Sequence, residues 1–402
     1  MGGCVDVIYC DFMKAFDKVP HLRLIHKLSM YGIQDPFTAW IRSFLLGRKQ
    51  RVSVNGQSSE WKKVTSGIPQ GSVLGPILFV LYINDLPDVT SEDTHTYLFA
   101  DDTKVFRSII DHSDCSILQR DLHNMQSWTD KWMLCFHPDK CKVMRIGSSS
   151  IDVKDYTLKE NGNNLQYSTF EKDIGVIIDD KLAFDKHISE KVNKANSIMG
   201  LIRRTMEYMD NNTFVLLFKA LVRPHVEYAN QIWCPHLVKH IDAIENVQRR
   251  ATRQLPGMSD LSYSERLRKL KLPTLAYRRV RGDMIELFKI LTGKYDPEVS
   301  NFIRLSDNTT TRGHNYKLFK TRTRLNTRKY SFVHRSVDLW NSLPLSVVSA
   351  TTVRSFESRL DKHWKNQPLY YEYKEIIAAW QPGSNQTQED SPELTGENSR
   401  EA

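Results

Sequence analysis

Cysteine is scarce here: six residues in 402, with no C-x-x-C pair among them. That argues against a disulfide-stapled secreted scaffold and against the common zinc ribbons, and favours a reducing compartment. The run Cys135-x-His137-x3-Cys141 has metal-binding residue types but no fourth ligand nearby, and reads as ordinary loop and strand. Long apolar runs are missing too. The longest, residues 77–83, falls far short of the roughly 20 needed to span a bilayer. There is no secretory leader, and Met1-Gly2-Gly3-Cys4-Val5-Asp6 has Asp6 where a myristoylation signal carries Ser or Thr. The expectation is an intracellular protein without a membrane partner, in nucleus or cytoplasm. No internal repeat is visible. Residues 381–402 hold almost no apolar side chains, which predicts a disordered tail over 379–402.

What is present suits a folded chain of two or three domains: 40% hydrophobic and 26% charged residues. Lys and Arg number 56 against 47 Asp and Glu, a net charge of +9 that weakly favours polyanionic partners.

Residues 5–10 form a short β-prone run with Asp11 at its C-terminal end, where α/β folds collect ligands. Leu24, Ile25, Leu28 and Tyr31 give one helical stripe, and Phe37, Trp40, Ile41, Phe44 and Leu45 a second. Residues 51–54 and 61–64, around Asn55-Gly56, predict a β-hairpin. Residues 96–99 and 103–106 read as strands joined by a tight turn that carries Asp101 and Asp102. Leu118, Leu122, Met125, Trp128 and Trp132 define a long amphipathic helix, and 142–146 and 173–178 are further strand candidates. From Phe184 the pattern becomes helical, with basic clusters at Arg249 and Arg250, at Arg278, Arg279 and Arg281, and between Lys320 and Lys329. Trp233, Trp340 and Trp364 read as core residues.

Three segments stand in order: Asp11-Phe12-Met13-Lys14-Ala15-Phe16-Asp17, then Ser66-Gly67-Ile68-Pro69-Gln70-Gly71-Ser72-Val73-Leu74-Gly75-Pro76, then Phe99-Ala100-Asp101-Asp102. An aspartate ending one strand and a pair on a hairpin turn can converge on one volume and hold two divalent cations for phosphoryl transfer. Asp-Asp pairs are common in turns. The other two segments, in this order and spacing, turn the reading towards a nucleic-acid polymerase.

These segments resemble the first three palm motifs of reverse transcriptases from LINE-type (non-LTR, jockey-like) retrotransposons. Residues 132–144 are similar to the fourth motif and 173–188 to the primer-grip region, so the likeness covers roughly residues 1–190. Arg335-Ser336-Val337-Asp338-Leu339-Trp340-Asn341-Ser342-Leu343-Pro344 also resembles the C-terminal part of such elements. The implied fold is an α/β (α+β) palm of antiparallel strands backed by helices over 1–182, then a helical thumb over 183–240 and a basic α-rich region over 241–378.

The resemblance implies an RNA-directed DNA polymerase that extends a DNA primer on an RNA template with deoxynucleoside triphosphates. Asp11, Asp101 and Asp102 would hold two Mg²⁺ or Mn²⁺ ions, helped by the Phe12 carbonyl. Phe16 would be the steric gate against a ribose 2′-hydroxyl, Gln70 and Gly71 would line the nucleotide pocket, and Lys140 would protonate the leaving pyrophosphate. Residues 175–178 would support the primer terminus, and the later arginines would track phosphates. Such enzymes place a fingers region before the first palm motif, whereas ten residues precede Asp11 here. The expectation is a chain truncated at its N-terminus that polymerises poorly by itself. The runner-up is a non-catalytic nucleic-acid-binding remnant.

Overall fold

The computed structural model describes residues 3–147, 151–152, 154–158, 162, 164–297, 303–306 and 314–377; the tail expected at 379–402 lies outside them. The chain divides into two compact units, Met1–Ala183 and Phe184–Ala402. The antiparallel palm expected from the sequence is present in the first.

Its sheet has the order β6-β7-β1-β8-β9. β1 (Cys4–Asp11) is central and pairs antiparallel with β7 (Asp102–Ile109) and β8 (Lys142–Ile146). β6 (Thr94–Phe99) lies at one edge, and β9 (Gln166–Tyr167) joins β8 in parallel at the other. On one face of β1, Ile8 and Cys10 share a buried cluster with residues of α2 (His21–Met30), α3 (Phe37–Leu45), α4 (Leu74–Ile83) and α5 (His112–Trp132), which follow a short α1 (Ala15–Lys18). Ile8, Leu24, Leu28, Leu78, Phe79, Leu118, Leu122 and Met125 form one buried cluster. Each such side chain contributes about 1.5–3 kcal/mol on burial. Asp111 and Asp114 close a capping box at the start of α5.

One charge is built into the centre of this sheet. Asp6, fully buried, is the register partner of Arg145 on β8 and accepts from its Nε and Nη2 at 2.6 and 2.8 Å. The Tyr156 hydroxyl donates to the same carboxylate at 2.7 Å.

Two helical stripes differ from the sequence reading. On α2, Tyr31 is exposed and Lys27 is buried. The Lys27 ammonium donates to the Tyr82 carbonyl and to Asp85, and lies 3.8 Å from the centre of the Trp132 ring, so burial leaves it paired. On α3 the buried residues are Thr38, Ile41 and Leu45, while Phe37 and Trp40 face solvent. The expected hairpin is two ladders of one ribbon: β2 (Lys49–Gln50) with β5 (Lys62–Lys63), and β3 (Ser53–Val54) with β4 (Gln57–Ser58). Asn55 and Gly56 both have positive φ at its tip, as a tight hairpin turn requires. The candidate strand 173–178 is instead a hairpin, β10 (Phe170–Asp173) and β11 (Val176–Asp179), because Ile174 and Gly175 take positive φ and reverse the chain.

The second unit is helical over its described residues, with Asp185–Thr205, Val238–Arg253 and Leu275–Leu291 its longest helices. Trp233, Trp340 and Trp364 are all buried, as read from the sequence. The segment 335–344 supplies anchors: Arg335 donates to both oxygens of buried Asp283, and Asn341 exchanges hydrogen bonds with the backbone of Leu318. Several of its arginines are bound internally. Arg278 pairs with Glu227 and Arg281 with Asp361, while Arg279 is buried; Arg249 and Arg250 are exposed.

His187 gives this unit a pH dependence. Its ring is buried 5.1 Å from that of Trp233, and burial lowers its pKa to about 4. Between 6.5 and about 4 the unfolded chain binds a proton that the folded chain refuses, so this stability is full above 6.5 and is lost as pH falls. The loss is on the order of 3 kcal/mol. Urea unfolding at pH 7 and pH 4.5 should show it, and His187→Phe should flatten it.

Candidate active site

β1 delivers Asp11 directly opposite Asp102, the first residue of β7. Ala100, at φ 53°, closes the turn that brings Asp102 back against Phe99, and Asp101 sits on that turn. Beyond Asp11 the strand is held by a second line of contacts. The Asp11 carbonyl accepts from His137 N at 2.7 Å, Met13 N donates to the Cys135 carbonyl at 2.8 Å, and the Phe12 and Phe136 rings stack at 4.8 Å.

A cavity of about 310 Å³ opens on this corner, lined by Asp11, Asp102, Lys140, Tyr9, Lys104, Glu171 and Asp173 among others. Its charge is mostly negative at the carboxylate end. Although Asp102 reaches solvent, partial desolvation first, then the charges of Asp101, Asp11 and Asp173, push its carboxyl above the ordinary value. Lys140 Nζ lies 3.3 and 3.4 Å from the two Asp11 oxygens. Both groups are exposed, so the pair contributes little to stability.

Sequence reasoning missed one wall of this cavity. Lys104 pairs with Asp173, and Lys142 lies 3.5 Å from Glu171, which tie β10 to β7 and β8. The alternating acid–base run Glu171-Lys172-Asp173 before Ile174-Gly175 was the available signal.

The nucleotide-pocket candidates stand elsewhere in the unit. Phe16 is half-buried, its ring stacked on Phe79 at 4.4 Å, and its carbonyl accepts from Ile68 N at 2.8 Å. Gln70 is exposed and donates to Asp17 Oδ1 at 3.0 Å. It lines a second cavity, of about 470 Å³, rather than the carboxylate one. Gly71 has φ +79° with open space where a Cβ would sit, so conformation rather than close packing calls for glycine there. Close packing belongs to Gly67, where a Cβ would fall 2.7 Å from the Asp17 carbonyl oxygen at φ +89°. Gly67→Ala should therefore cost about 1–3 kcal/mol by thermal unfolding.

The residues fit divalent cations in donor chemistry and charge: oxygen ligands, with the Asp102 carboxyl raised by partial desolvation and then by the neighbouring carboxylates. Among the described residues no three His, Cys, Asp or Glu side chains are yet gathered closely enough to hold an ion. Lys140 is the cation on Asp11 instead.

Residues 2–193 match the family Reverse transcriptase (RNA-dependent DNA polymerase). These residues form a reverse transcriptase domain of the non-LTR retrotransposon type. The chain is 29% identical over 272 residues to the RNA-directed DNA polymerase from mobile element jockey of Drosophila funebris, which covers 64% of this chain and 28% of that protein. It is 28% identical to the probable RNA-directed DNA polymerase from transposon X-element of Drosophila melanogaster, over 67% of this chain and 30% of the relative. The chain thus spans less than a third of the length of these relatives. Among solved structures, a telomerase from Candida albicans in complex with a fragment of telomeric RNA aligns over 66% of this chain and 49% of that one, at 10% identity and TM-score 0.37. Among the described residues no helix is long and apolar enough to cross a membrane.

Proposed function

We propose that this reverse transcriptase domain performs RNA-templated DNA synthesis, adding deoxynucleotides to a primer 3′-hydroxyl. The observation that carries the reading is the carboxylate corner: Asp11 and Asp102 as register partners with a cavity opening on both, and Asp101 on the adjoining turn. Asp11, Asp101 and Asp102 would hold two Mg²⁺ or Mn²⁺ ions, with the Phe12 carbonyl as a further oxygen donor. Bound there, such ions supply Lewis-acid stabilisation of the charge that develops in phosphoryl transfer.

The chain's own side chains do the rest. Phe16, braced by Phe79, excludes a 2′-hydroxyl. Gln70, oriented by Asp17, and Gly71 border the incoming nucleotide. Lys140, freed from Asp11, is placed to give a proton to the leaving pyrophosphate. The hairpin 170–179 supports the primer end. Residues 183–240 serve as thumb and 241–378 as a basic extension, whose exposed arginines, among them Arg249, Arg250, Arg322, Arg324 and Arg328, are available to phosphates.

A second reading, non-catalytic duplex binding, is favoured by the Lys140 clasp on Asp11. Primer extension by the 402-residue chain on an RNA template, with deoxynucleotides and Mg²⁺ or Mn²⁺, separates the two. Template-dependent extension supports synthesis. Duplex binding without extension supports the second reading.

A further inference from the structure

Two cysteines flank the carboxylate corner without a part in its proposed chemistry. Cys10 precedes Asp11 on β1, and Cys141 stands between Lys140 and the first residue of β8. Tyr9 is the register partner of Lys142, so the next step along the ladder sets Cys10 opposite Cys141. Residues directly opposite on antiparallel strands have Cα atoms about 4.5–5.5 Å apart and side chains on one face of the sheet. That separation falls inside the roughly 4.4–6.8 Å that a disulfide spans. The side chains agree with the register. Both cysteines belong to one buried cluster, and their thiols are joined by a hydrogen bond. Cys141 Sγ is also fixed 4.0 Å from the Asp11 carbonyl oxygen. Two thiols held in contact between two paired strands can close an S–S bond with little movement of either backbone. Cys10 lines the cavity that opens on Asp11 and Asp102, which gives a small solute a route to the pair.

We propose that Cys10 and Cys141 are a redox-sensitive pair, which a peroxide converts into a disulfide that ties Asp11 to Lys140. In this step two S–H bonds and the peroxide O–O bond break, and one S–S bond forms. The thiols give up two electrons, and their two protons leave with the peroxide oxygens as two molecules of water. A thiol reductant reverses it, so the pair stays reduced in a reducing compartment and closes on oxidation. Lys140 Nζ already lies 3.3 Å from Asp11 Oδ1. A covalent link between the residues beside them holds that clasp shut and opposes entry of a cation at Asp11. This consequence rests on the metal-site reading of the carboxylate corner; the linkage itself does not.

The test treats the folded full chain with hydrogen peroxide, blocks the remaining thiols and maps its peptides by mass spectrometry without reduction. A Cys10–Cys141 linkage should be the main disulfide, lighter by two hydrogens and opened again by dithiothreitol. Cys135 and Cys234, which are less buried, should stay out of it. Titration with Mn²⁺ then reads the consequence. The oxidised parent should bind Mn²⁺ at least about tenfold more weakly than the reduced parent and recover with dithiothreitol. Cys141→Ser and Cys10→Ser, each a near-isosteric change, should form no such linkage and should bind Mn²⁺ alike before and after peroxide. If the reduced parent binds no Mn²⁺, the metal reading fails while the linkage map still decides the pair. The proposal is overturned if peroxide leaves both thiols free in folded protein, or oxidises them to sulfinic or sulfonic acids without linking them. It is equally overturned if the linkage forms and Mn²⁺ binding by a chain that binds it when reduced does not change.

Discussion

Asp11→Asn should reduce templated extension by about three orders of magnitude while leaving the melting temperature within a degree or so of the parent. Metal-derived stabilisation of the reacting phosphoryl group is worth several kcal/mol, and each 1.36 kcal/mol is tenfold in rate. The structure explains why the fold should not notice. The groups that hold this stretch of chain are the Asp11 carbonyl, which accepts from His137 N, and the stacked rings of Phe12 and Phe136. Neither involves the carboxylate. Among the described residues the only ion pair lost is the exposed one with Lys140. Single-nucleotide extension rates and a thermal melt of the same sample decide the matter. A rate within tenfold of the parent would mean that chemistry does not depend on this carboxylate.

The largest effect on stability is expected at the other end of the same strand. Asp6→Ala should cost about 3–5 kcal/mol, because it strands the Arg145 guanidinium without a counter-charge in the middle of the sheet. Asp6 is fully buried, Arg145 is nearly so, and the two share both bonds of a bidentate pair that Tyr156 completes. Removing both charges, in Asp6→Leu with Arg145→Met, should recover most of the loss, since the desolvation cost disappears with the attraction. Urea unfolding of parent, single and double variants measures it. A single-variant loss under about 1 kcal/mol would show that water reaches Arg145 in the folded chain.

The carboxylate corner was legible because two strong local signals meet there: an apolar run that ends at Asp11, and a two-strand pattern that turns at Asp101 and Asp102. Antiparallel pairing then sets Asp11 across from Asp102. The wall formed by Glu171 and Asp173 was not legible, because a β-prone run hid a reversal at Ile174-Gly175. Periodicity also put exposed Tyr31 on the buried stripe and passed over buried Lys27. Counting apolar side chains does not foresee an ammonium buried against Trp132 and paired with Asp85. Gly67 packs against the Asp17 backbone, a contact between distant segments that spacing along the chain does not reveal. The cavity beside Gln70 gathers Lys14, Arg48 and Lys63 from separate segments, and no linear pattern announces it.

The central claim is that Asp11, Asp101 and Asp102 together form a divalent-cation site. Titration of the full chain with Mn²⁺, followed by electron paramagnetic resonance, addresses it without requiring turnover. The parent should bind two Mn²⁺ ions in competition with Mg²⁺, and Asp11→Asn or Asp101→Asn should each abolish or strongly weaken that binding. Mn²⁺ binding that is absent from the parent, or unchanged in both variants, would contradict it.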